Sequence, residues 1–187
     1  MTVMRRAVVL ATALILACEG EKVESPTAAK PGAPLVGTDV PQTEVWQGLA
    51  PGESQAFEFV ATASGTARTV SFFIDVSSTC NKVIVGLYTD GAGHPDTLVT
   101  HGTMAPPIAG WNTVAIAKDA AIEKGTAYWI ALLCSKSGSG VLKFPDSSKG
   151  PFSTEYHATN TLDVLPERWS SGTKKTPDGP VSAYFSQ

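Results

Sequence analysis

From about residue 40 onward the chain repeats one pattern: apolar and polar residues alternate briefly, then a cluster of Gly, Pro, Asp or Ser interrupts them. Across Val70 to Val76, the residues Val70, Phe72, Ile74 and Val76 fall on one side and Ser71, Phe73 and Asp75 on the other. A period of two is the signature of a half-buried β-strand, because successive side chains of a strand point to opposite faces. Ser54 to Ala61 alternates in the same way, with Phe57 and Phe59 opposed to Glu58, and Lys82 to Tyr88 aligns Val83, Val85 and Leu87. Thr126 to Ser135 is almost continuously apolar, which suits a central strand buried on both faces. Further strands are predicted at Leu98 to Met104, Trp111 to Ala117, Val141 to Phe144, Thr154 to Ala158 and Val181 to Ser186. Asp90-Gly91-Ala92-Gly93, Pro106-Pro107, Lys124-Gly125, Ser137 to Gly140 and Asp178-Gly179-Pro180 supply turns between them. The nearest helical candidate, Asp119 to Lys124, is under two turns long and ends at Gly125, so it reads as a loop or short turn. Short strands at this spacing predict an all-β fold, an antiparallel β-sandwich of jelly-roll type, with a barrel as the alternative.

The N-terminus carries a different signal. Arg5 and Arg6 precede an apolar run from Ala7 to Ala17, which is shorter than the roughly twenty residues a spanning helix needs. The run ends in Ile15-Leu16-Ala17-Cys18, which resembles a bacterial lipoprotein signal with its lipobox. The resemblance implies that residues 1–17 are removed and that the Cys18 sulfur carries a diacylglycerol, making membrane lipid a partner. An ordinary cleaved secretion signal is the other reading. Glu19, in place of the Asp that commonly marks inner-membrane retention in such proteins, leans towards the outer membrane or cell surface of the bacterial envelope. Residues 18–40 are rich in Pro, Ala, Glu and Lys without an apolar period and read as a flexible linker, leaving residues 41–187 as one domain.

The formal charge is −3 and becomes more negative by two if Arg5 and Arg6 leave with the signal. No basic patch with interleaved aromatics appears, and Lys174-Lys175 reads as a solvated turn, so nucleic acid is not an expected partner. With Cys18 lipidated, Cys80 and Cys134 remain as an even pair outside the cytoplasm. A disulfide between them is predicted, two separate thiols being the alternative.

The succession Gly52-Glu53-Ser54-Gln55-Ala56-Phe57, Ala63-Ser64-Gly65-Thr66, Val85-Gly86-Leu87-Tyr88, Gly110-Trp111-Asn112-Thr113-Val114 and Gly125-Thr126-Ala127-Tyr128-Trp129-Ile130-Ala131 resembles a family of bacterial extracellular β-sandwich modules of unknown function. The likeness continues through Leu165-Pro166, Trp169 and Gly172 to Val181-Ser182-Ala183-Tyr184. It implies a jelly roll loosely similar to carbohydrate-binding modules and no established ligand.

Trp46, Trp111, Trp129 and Trp169 are the residues suited to stacking on sugar rings, since aromatic faces bury area at low entropic cost. Trp111 and Trp129 lie in predicted strands and are expected in the core. Trp169 lies in the long irregular segment Thr159 to Pro180 beside Glu167 and Arg168, and these three form the candidate ligand-binding set. A lid that seals one end of the sandwich is the alternative role for Trp169. Asp90 to Asp96, with two carboxylates and His94, could offer oxygens to calcium, although turn chemistry explains the same residues and no cofactor is expected. Asp146 with Ser147 and Ser148 is a weaker candidate for the same ion. No nucleophile elbow, zinc motif or phosphate loop is present, so the expected role is non-catalytic. The expected function is a membrane-anchored binding or adhesion module for a glycan or envelope protein. The alternatives are a structural envelope lipoprotein and a hydrolase built on carboxylates such as Glu155, Asp163 or Glu167.

Overall fold

The computed structural model describes residues 32–43, 45–147 and 150–187, with the side chains of residues 45 and 46 left out. The signal peptide, Cys18, residues 18–31 of the linker, the Trp46 side chain and Ser148 therefore lie outside the described residues. The strands are β1 (Val36–Gly37), β2 (Val45–Leu49), β3 (Ser54–Val60), β4 (Gly65–Ile74), β5 (Val83–Asp90) and β6 (Pro95–Met104). They continue with β7 (Gly110–Ile122), β8 (Ala127–Cys134), β9 (Leu142–Asp146), β10 (Phe152–His157), β11 (Ser171–Asp178) and β12 (Ala183–Ser186).

All pairings are antiparallel, in a four-stranded sheet β1-β12-β4-β7, a six-stranded sheet β11-β10-β3-β8-β5-β6 and a separate ribbon β2-β9. Apart from the β5–β6 and β10–β11 hairpins, each consecutive strand changes sheet. The order β1-β12-β4-β7 facing β3-β8-β5-β6 is that of a jelly roll, with β10 and β11 widening one sheet.

The apolar run of β8 is explained by its position. It is flanked by β3 and β5, so that Ile130 is registered with Phe57 on one side and Leu87 on the other. Ile130 and Leu132 enter the main core with Phe57, Phe72, Val85 and Phe185, whereas Trp129, Ala131 and Leu133 join a second cluster on the outer face. Cys80 and Cys134 form a disulfide, with Cα atoms 6.1 Å apart, that ties the loop after β4 to the end of β8. Closing a loop of 54 residues contributes about 4 kcal/mol in the chain-entropy picture.

Several boundaries differ from the sequence reading. The fold begins before residue 41: Leu35 and Val36 are buried, and β1 pairs with β12. Two residues are too short a strand to show a period, which is why they read as linker. β7 continues through Asp119 to Ile122, with Ala120 and Ile122 packed into the core, so the loop or turn expected there is strand. Val76 does not extend β4. It is 83% exposed, because Asp75 accepts the Ser77 backbone N–H at 2.8 Å and turns the chain. β11 lies inside the segment expected to be irregular, its residues exposed up to Pro177. Backbone pairing with β10 creates it, and Lys174, Lys175 and Pro177 suit a free sheet edge.

Candidate functional site

The outer face of the six-stranded sheet presents Ala56 from β3, Ile84 and Tyr88 from β5, and Trp129, Ala131 and Leu133 from β8. Widened by β10, this face needs a cover. Residues 158–170 supply it, laying Leu162, Leu165 and Trp169 on the sheet. Gly86 lies directly beneath them: a Cβ there would come within 2.4 Å of Leu165 Cδ1, so the leucine would have to shift to admit one. The cover is fastened along its length. Leu162 N–H donates to Gly52 at 3.1 Å, and Lys136 N–H donates to Leu162 at 2.9 Å. The Tyr88 hydroxyl donates to the Pro166 carbonyl at 2.8 Å, and its burial pushes the phenol pKa upward. Asp163 accepts the Ser137 N–H and the Ser135 hydroxyl, and these bonds, the Ser137 one foremost, hold its carboxyl below the usual range.

Two candidate regions that are far apart in sequence meet here. The β5–β6 loop, Asp90 to Asp96, touches the Glu167 to Trp169 segment: Trp169 N–H donates to Asp96 at 2.8 Å and Leu98 N–H to Glu167 at 2.9 Å. Arg168 Nη1 lies 2.6 Å from Asp96 Oδ1. This bond to Arg168 is the main cause holding the Asp96 carboxyl below its ordinary pKa. Both groups are substantially exposed, so the pair adds little stability. Glu167 is exposed at the rim.

At the centre is Glu155 of β10, whose side chain is fully buried. Its Oε1 accepts the Trp169 indole N–H at 3.1 Å, and its Oε2 lies 2.6 Å from Nδ1 of the half-exposed His94. Asp90 has the matching role for the neighbouring tryptophan: Oδ1 accepts the Trp129 indole N–H at 2.8 Å and Oδ2 accepts Gly93 N–H at 3.0 Å. Lys174 Nζ donates to the Gly93 carbonyl at 2.6 Å and sits 5.6 Å from the Trp129 ring centroid. Tyr88 and His157 meet Trp169 edge-on at 5.2 and 4.9 Å, and burial pushes the His157 pKa down.

This geometry settles where the expected residues stand. Trp169 is only 9% exposed and packs over the second cluster. The carboxylates of the β5–β6 loop are engaged by Trp129, Gly93, Arg168 and Thr97. Among the described residues, no group of three or more His, Cys, Asp or Glu side chains could hold a metal ion. From the sequence alone Glu155 is no more than one of several scattered carboxylates. Its neighbours Ser153, Thr154 and Tyr156 carry no apolar alternation, so its burial left no local mark. The available signal was indirect: two indoles buried together need two acceptors.

The outer face of the four-stranded sheet is different. Phe73 of β4 is registered with Trp111 of β7, their centroids 5.7 Å apart, and Trp111 meets Tyr184 of β12 at 5.5 Å. Trp111 is half-buried on this face rather than in the core as its strand position suggested. Along the same face run two hydroxyl pairs, Ser71 with Thr113 and Thr69 with Ser186, both at 2.9 Å. A cleft of about 340 Å³ also opens at the β2-β9 ribbon, lined by Gln47, Gly48, Asp75, Ser77 and Lys143. Comparison with protein-family models and with curated proteins returned no match.

Proposed function

We propose that this chain is a lipid-anchored, non-catalytic binding module of the bacterial envelope whose ligand is a glycan. The observation that carries the reading is Trp111, a partly exposed indole braced by Phe73 and Tyr184. A ring held by two edge-on neighbours loses little rotamer freedom on binding, and its face suits the C–H side of a pyranose. Beside it, Ser71 and Ser186 are buried and occupied with Thr113 and Thr69, so of these hydroxyls only those of exposed Thr113 and part-buried Thr69 face a sugar. Their neutrality favours an uncharged sugar over a uronic acid or phosphorylated glycan. Anchoring rests on Ile15-Leu16-Ala17-Cys18.

A glycan array of the purified chain, run beside Trp111→Ala, tests the ligand. Saturable binding that disappears in the variant is expected. A blank array for the unmodified chain would shift the reading to an envelope protein partner. Palmitate labelling that persists in Cys18→Ser would overturn the anchor.

A further inference from the structure

The end of β9 meets the β11–β12 connection in a very close backbone contact. Asp146 bridges Val181, Ser147 N–H donates to Pro180 at 3.3 Å, and a Cβ on Gly179 would lie 1.5 Å from the Ser147 carbonyl oxygen. Only glycine fits there. Asp146 is buried in this junction at 0% exposure, and among the described residues neither carboxylate oxygen has a well-aligned hydrogen-bond donor. The groups around it come from three strands. Asp178 of β11 is already engaged, accepting the Thr154 hydroxyl at 2.7 Å and Gly179 N–H at 3.0 Å. Lys175 of β11 lies 5.7 Å from the Tyr156 ring centroid of β10 and acts on Asp146 at a distance. The Gln47 amide of β2 approaches the carboxyl.

A buried carboxylate without partners is costly when ionised and far less so when neutral. Burial accordingly pushes the Asp146 pKa up to about 6; Asp178 adds to the rise, and Gln47 and Lys175 oppose it. We propose that Asp146 makes closure of the β2-β9 ribbon against the β11–β12 connection an acid-favoured clasp, which loosens as its carboxyl ionises. The ribbon carries Gln47, Gly48 and Lys143, three of the residues that line the cleft, so the state of the clasp is felt there. The sign follows from linkage. The folded-state pKa, about 6, lies above the ordinary value of 3.8, so this group's contribution is fully present below about 3.8 and is lost as pH rises through 6.

The test is urea unfolding of the full chain between about pH 4 and about pH 8, beside Asp146→Asn. Relative to the variant, the unfolding constant of the unmodified chain should rise about sixtyfold across that range, most of it between about pH 4 and about pH 6, and level off above. Parallel profiles would overturn the proposal. Hydrogen exchange at about pH 7.5 should show β2 and β9 less protected in the unmodified chain than in Asp146→Asn, with β8 unchanged; equal protection would also overturn it. If Asp146→Asn does not fold, carbon-13 titration of the Asp146 carboxyl in the unmodified chain decides. A midpoint near 6 supports the clasp, and one at or below the ordinary 3.8 sinks it.

Discussion

On the outer face of the six-stranded sheet, Trp129 and Trp169 both spend their indole N–H groups inside the protein, on Asp90 and Glu155. On the outer face of the four-stranded sheet, Trp111 stays partly exposed, buttressed by Phe73 and Tyr184. The contrast reverses the usual expectation about loops and strands. Here the tryptophan in a loop is buried, and one in a strand keeps part of its surface exposed. The cause is the extent of each sheet. β10 and β11 enlarge the first sheet and bring with them a connecting segment long enough to fold back over it, whereas among the described residues no such segment lays apolar side chains over Trp111.

The sharpest way to break this contrast is Trp169→Ala. Removing the seal should cost about 3–4 kcal/mol in urea unfolding, the loss typical of a large buried aromatic. A cost below about 1 kcal/mol would mean that the cover contributes little to the fold. Next comes Glu155→Ala, which strands the Trp169 indole N–H and removes the His94 contact. A loss of about 1–3 kcal/mol is expected, measured in the same way. Trp111→Ala should lower stability by only about 1 kcal/mol while abolishing glycan binding. If it destabilised the fold as much as Trp169→Ala, both faces would be core and the contrast would collapse. Smallest of all, Arg168→Ala should shift stability by no more than about 0.5 kcal/mol, because its partner Asp96 is also exposed. A thermal melt and a glycan array on the same preparation would sharpen the point: Arg168→Ala should leave both nearly unchanged.

The local pattern determined the sheet class, the inward faces of β3, β4 and β5, the central position of β8, and the Cys80–Cys134 pair. These were legible because alternation is a property of neighbours in sequence, and because two cysteines near strand ends had no other partner once Cys18 is assigned to lipid. Only the tertiary structure decided the rest. Val36–Gly37 is a strand because β12 lies beside it, and Ser171–Asp178 is one because β10 does. Glu155 is buried because Trp169 and His94 arrive from other parts of the chain. Asp146 is buried because β9 ends against Gly179 and Val181. In each case the sequence carries the residue but not its neighbour, and burial, partners and titration all belong to the neighbour.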